Sequence, residues 1–119
     1  MPESKIHRGG CHCGKVRFEA VGDMSKIIAC NCSICAKNGL WLTFVAAAAF
    51  KLISGESALK DYQFASKKIH HLFCADCGVE SFGRGSAADG SEMVAVNVRC
   101  LDGIDIAELE PEPFDGKSL

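Results

Sequence analysis

The 119-residue sequence contains no apolar run approaching the roughly 18 residues that identify a membrane span. Its opening residues, Met1 to Arg8, include no apolar stretch of the kind found in a secretory leader. Both absences point to the cytoplasm and to partners other than a membrane. Positive charge is also scarce. Thirteen Lys and Arg against fifteen Asp and Glu give a formal charge of −2, and the basic residues are scattered. A nucleic-acid binder neutralises phosphates with a basic face, so nucleic acid is not expected as a partner. There is no linker, no repeat of fixed period, no low-complexity tract and no long amphipathic helix. With 48% apolar residues to build a core, a single domain over residues 1–119 is predicted.

Cysteine, by contrast, is abundant. Seven of the eight cysteines fall into three clusters, Cys11-His12-Cys13, Cys30-Asn31-Cys32-Ser33-Ile34-Cys35 and Cys74-Ala75-Asp76-Cys77. In a reducing compartment such spacing favours metal ligands over disulfides. Zinc–sulfur bonds of about 2.3 Å put tetrahedral ligand sulfurs under about 4 Å apart, so each pair needs a tight turn. Glycine supplies the turns, with Gly78 directly after Cys77 and Gly9, Gly10 and Gly14 around the first pair. Zinc held by Cys11, Cys13, Cys74 and Cys77 would tie the start of the chain to its middle, a structural role.

Cys30, Cys32 and Cys35 come from one loop and leave a fourth position open, as in catalytic zinc sites. The alternative is closure by Cys100 or by one of His12, His70 and His71, which would make this site structural too. Cys100 also reads as a small buried apolar residue. His70 and His71, adjacent in a predicted strand, point to opposite faces and do not both enter one site.

Strands are predicted at Val16–Val21, Leu42–Val45, Phe50–Ile53, Ile69–Phe73 and Met93–Val98, from short apolar runs punctuated by glycine. In the first, Val16, Phe18 and Ala20 alternate with Arg17 and Glu19. Ala46 to Ala49 is read as strand and turn. Short helices are expected after Cys32, stopping at Asn38-Gly39, and over Ile104 to Leu109. The proline-stiffened ending is expected to lie across the domain and anchor through Phe114.

Gly10-Cys11-His12-Cys13-Gly14, Cys30-Asn31-Cys32-Ser33-Ile34-Cys35, Phe73-Cys74-Ala75-Asp76-Cys77-Gly78, Asn97-Val98-Arg99-Cys100-Leu101-Asp102-Gly103 and the closing Phe114-Asp115-Gly116 together resemble the glutathione-dependent formaldehyde-activating enzyme family, also called the centromere protein V family. The resemblance runs from about residue 9 to 117. It implies a mainly β, Mss4-like fold of small antiparallel sheets organised around zinc, with short helical turns. It also implies two zinc ions per chain, a structural one on Cys11, Cys13, Cys74 and Cys77 and a catalytic one on Cys30, Cys32 and Cys35. The implied activity is a carbon–sulfur lyase reaction, making or breaking the adduct of glutathione and formaldehyde. The chain is shorter than the founding enzymes, which carry additional segments.

A soft three-thiolate site suits activation of a small-molecule thiol better than polarisation of a carbonyl. An anionic thiol such as glutathione calls for a nearby cation, and Lys37 and Arg99 are the candidates for binding it. Each also has a plainer reading, Lys37 as a solvated helix-end lysine and Arg99 as the ion-pair partner of Asp102. Asn31 and Ser33 would hydrogen-bond sulfur or shape the turn, and Trp41 would floor a pocket or join the core. The rival readings are a zinc module that binds a protein partner and a glutathione carrier.

Overall fold

The computed structural model describes residues 5–22, 26–63, 69–87 and 89–115. The alternation read at Val16 to Ala20 sets the first layer. Strand β2 (Arg17–Gly22) turns Phe18 and Ala20 inward, and Val16 just before it is also buried. Outward, Arg17 pairs with Asp102, and Arg8 Nε donates to Glu19 Oε2 at 2.8 Å. β1 (Lys5–Gly10) and β5 (Phe50–Ser54) flank β2 antiparallel to complete a three-stranded sheet.

The second sheet is formed by β3 (Ile28–Cys30), β4 (Trp41–Ala46), β6 (Leu59–Tyr62), β7 (His70–Cys74), β8 (Glu80–Ser86), β9 (Glu92–Asn97) and β10 (Glu112–Phe114). Its strand order is β10-β3-β4-β9-β8-β7-β6, antiparallel except for β10 against β3. Both of its faces are covered in part, which β9 displays most clearly. Val94 and Val96 join Phe18, Phe50 and Phe82 in the main core between the sheets, while Ala95 faces the opposite side. The three phenylalanine rings touch in series, with centroids 5.3 Å apart for Phe18 and Phe50 and 4.6 Å for Phe50 and Phe82. On the opposite face, Leu42 and Ala95 receive helix α1 (Ser33–Asn38) through Cys35 and Ile34. With its short helical turns, this sheet architecture is the Mss4-like fold the resemblance implied.

Some local expectations hold and others change. The strand-and-turn reading at Ala46 to Ala49 does hold, with Ala46 ending β4 and Ala47–Ala49 forming a 3-10 turn where the chain leaves the large sheet and enters the small one at β5. Ala47 and Ala49 pack on the core at this crossing. The predicted helix at Ile104 to Leu109 shrinks to one 3-10 turn, Ile106–Glu108, capped by Asp105 Oδ1 accepting from Ala107 N at 3.0 Å. Val98 closes the main core from a 3-10 turn beyond β9. The tail does cross the domain, but the main chain anchors it. Glu112 N donates to Ile27 O at 2.8 Å and Asn31 N to Phe114 O at 3.0 Å, while the Phe114 ring stays largely exposed. Gly116 of the closing motif lies outside the described residues.

Candidate metal centres

Two turns of the same design build the first centre. Cys11 and Cys13 follow β1, Cys74 ends β7, and Cys77 comes three residues later. Gly14 (φ 83°) and Gly78 (φ 80°) occupy the left-handed region just after each pair, where a side chain would be strained. The four Sγ atoms lie within 4.8 Å of one another, and both Cys11–Cys13 and Cys13–Cys74 are 3.6 Å apart. That is too long for a disulfide and close to the separation of about 3.8 Å between tetrahedral zinc ligands. Exposed Lys15, beside Cys13, pairs with Asp76 between the other two cysteines and links the half-sites at the surface.

The thiols of this centre are electrostatically unequal. Burial opposes ionisation of Cys77, but the N–H groups of Val79 and Cys13 and the thiols of Cys11 and Cys74 outweigh it and lower its pKa to about 6. The N–H of Lys15 favours the Cys13 thiolate, yet burial and the three neighbouring sulfurs together push that thiol up to about 12. Four sulfurs so close cannot all ionise unless a cation joins them.

The second centre is one loop and the start of one helix. Cys30 ends β3, Cys32 caps α1 and Cys35 is buried in its first turn. Gly39, at φ 65°, terminates the helix where the sequence predicted. Cys32 is lowered below the ordinary thiol value: burial opposes this, but the N–H groups of Cys35 and Ile34 and the neighbouring thiols prevail. Cys35 is raised, first by burial and then by Cys32 and Cys30. The three sulfurs lie within 4.8 Å of one another, and among the described residues no fourth His, Cys, Asp or Glu joins them. A soft, three-sulfur donor set of this kind fits zinc with one position left for an exchangeable ligand.

Cys100 belongs to neither group. Its sulfur lies 4.0 Å from Glu80 O, and burial raises its pKa to about 11, as for the small apolar residue of the plainer reading. His12 is exposed. His70 and His71 do face opposite ways. His70 Nδ1 is 2.6 Å from Asp61 Oδ2 at the surface, whereas His71 is buried with Nδ1 3.1 Å from Glu80 Oε2.

Lys37 is exposed in the last turn of α1. Arg99 does not pair with Asp102, a partner taken by Arg17; its guanidinium lies 4.0 Å from the centroid of Trp41. Trp41 itself packs against the main core and pairs across β3 with Ala29, next to Cys30. Asn31 Nδ2 donates to Asp115 Oδ1 at 3.0 Å and ties the cysteine loop to the tail.

Sequence reasoning overlooked Glu80. Its side chain is buried, with Asn38 Nδ2 3.5 Å from Oε1 and His71 on Oε2. The register shift between Leu72 and Phe73 that accompanies this pairing has no counterpart in the apolar pattern.

A β protein with one group of four cysteine sulfurs and one group of three, each able to hold a metal ion, defines the class. A family model described as glutathione-dependent formaldehyde-activating enzyme matches residues 6–114, and the chain belongs to that family. It is also similar to a Rhodobacter sphaeroides protein of known crystal structure, at 28% identity and a TM-score of 0.78, over 89% of this chain and 97% of that one. Family membership and the sulfur clusters together fit a zinc-binding, glutathione-related function. No helix among the described residues is long and apolar enough to cross a membrane.

Proposed function

We propose that the chain is a zinc-dependent carbon–sulfur lyase/synthase that forms or breaks a thiol–aldehyde adduct such as S-hydroxymethylglutathione. It would carry two zinc ions, a structural one on Cys11, Cys13, Cys74 and Cys77 and a catalytic one on Cys30, Cys32 and Cys35. The observation that carries this reading is the unequal ligand count of the two centres. When bound, the catalytic zinc supplies acidity to a fourth, sulfur ligand, favouring thiolate near neutral pH.

The chain's own residues do the rest. Cys32, favoured as thiolate by the first N–H groups of α1, and Cys30 hold the exposed side of the centre, while Cys35 fixes it to the helix. Lys37 on α1 and Arg99, braced on Trp41 beside β3, would receive the carboxylates of glutathione. The reaction itself needs only the thiol and an aldehyde.

Exchange NMR on a glutathione–formaldehyde mixture tests the reading, with zinc-loaded wild type and Cys32→Ser at equal concentration. Exchange above the uncatalysed rate with wild type alone is expected. No acceleration by either protein would overturn the enzymatic reading and favour a zinc module or glutathione carrier.

A further inference from the structure

On the same face of the large sheet as the three-cysteine centre lies a second chemical group that the proposed function leaves unused. A cavity of about 250 Å³ separates α1, which contributes Ile34 and Asn38, from His71 and Phe73 of β7, Tyr62 of β6 and Glu80 of β8. Cross-strand register places Tyr62, His71, Gly83, Ala95 and Phe44 in one row on the face of the large sheet that carries α1. Ala95 of that row packs in the same cluster as Cys30, Cys32 and Cys35. The histidine therefore stands on the cysteine loop's side of the sheet.

The pair is built, not incidental. His71 and Glu80 side chains are 9% and 7% exposed, and burial of an acid and a base together is costly unless their hydrogen bonds are well made. Glu80 Oε2 takes His71 Nδ1 at 3.1 Å, Asn38 Nδ2 approaches Oε1 at 3.5 Å, and Asn97 Nδ2 donates to Glu80 O at 3.0 Å. A Cβ on Gly83 would crowd the backbone at His70 O, 3.0 Å away, and would meet Glu80 Oε2 only at an ordinary contact distance of 3.8 Å. Glu80 thereby holds the Nδ1 edge of the His71 ring.

We propose that His71 is the proton-transfer residue of the three-cysteine centre and Glu80 the residue that positions it, with the thiol–aldehyde adduct seated in this cavity. The role rests on the thiol–aldehyde reading above. In synthesis, His71 takes the thiol proton; the sulfur lone pair forms the S–C bond, the carbonyl π pair moves to oxygen, and the same proton passes to that oxygen as hydroxyl. In cleavage, His71 takes the hydroxyl proton, the C=O bond reforms, the S–C pair returns to sulfur, and the proton follows it. No proton is gained or lost overall.

Charged groups around the ring suit the task. The hydrogen bond to Glu80 raises the His71 pKa, burial opposes it, and the charges of Glu80, of Cys32 at the start of α1 and of Asp61 on β6 raise it further.

The test uses the full, zinc-loaded chain as wild type, His71→Gln and Glu80→Gln, reading glutathione–formaldehyde exchange against pH, zinc content, and the His71 ring ¹⁵N shift with the adduct or with S-methylglutathione. His71→Gln is expected to lose at least about tenfold in exchange rate with zinc content unchanged. Glu80→Gln should move the pH profile to lower pH. In wild type the ring shift should respond to the adduct and not to the S-methyl analogue, which lacks the hydroxyl. Exchange within about twofold of wild type in His71→Gln, or a ring shift blind to the adduct, overturns the role while leaving the thiol–aldehyde reading intact. If His71→Gln does not fold, an unmoved profile in Glu80→Gln overturns it. No acceleration by wild type removes that reading and this role together.

Discussion

The two cysteine centres use the same ligand and differ in how the chain delivers it. The four-sulfur centre joins the end of β1 to the end of β7 and sits on the main core, where Cys11 and Cys74 are buried. The three-sulfur centre comes from one short segment on the outer face of the large sheet, packed by a smaller cluster around Leu40 and Leu42. A centre that bridges distant strands restricts the chain and contributes directly to folding. A centre made by one loop restricts little, so it can leave a coordination position for chemistry.

Mutation should separate the centres sharply. The largest effect is expected for Cys74→Ser, which removes a fully buried ligand from the bridging centre. Both metals and the cooperative melt should be lost, read by metal analysis and circular dichroism. Cys32→Ser should keep the fold and one metal, with exchange activity falling at least about a hundredfold, since a metal-centre ligand is removed without its structural counterpart. If Cys32→Ser unfolds the protein as thoroughly as Cys74→Ser, the division of labour fails.

Smaller effects sharpen the comparison. Cys100→Ser should retain two metals, because its sulfur stands outside both ligand groups; loss of the second metal would make that centre closed. The His71–Glu80 pair adds a pH signature. The folded His71 pKa is raised above 6.5, so its contribution to stability is full below 6.5 and fades as pH rises through the folded value. The melting-temperature gap between wild type and Glu80→Gln should therefore narrow from acid to alkaline pH in thermal scans, and a widening gap would reverse the assignment. The least effect is expected for Asp76→Ala. It breaks only the exposed pair with Lys15, and metal retention in a chelator titration should barely change.

The two sulfur groups were legible because a metal centre needs particular atoms at short spacing, and Cys-x-Cys and Cys-x-x-Cys state that spacing in the chain itself. The alternation at Val16, Phe18 and Ala20 was legible for the same reason: a sheet with one wet face writes its period into the residues. Strands whose identity depends on partners were not. β8, Glu80–Ser86, carries two glycines and two charged residues and becomes a strand because β7 and β9 pair with it on both sides. β10 likewise exists through its pairing with β3.

The sequence by itself determined which cysteines cluster and that seven of them divide into four and three, since both follow from spacing and count, while it left open whether Cys100 or a histidine completes the smaller group. Only the tertiary structure decided which face of the sheet the short group occupies, that Cys100 stays apart from it, and that a buried histidine and glutamate stand on the same face. Those outcomes depend on strand order and on the register shift in β7, which arise from contacts between residues far apart in the chain and leave no local pattern to read.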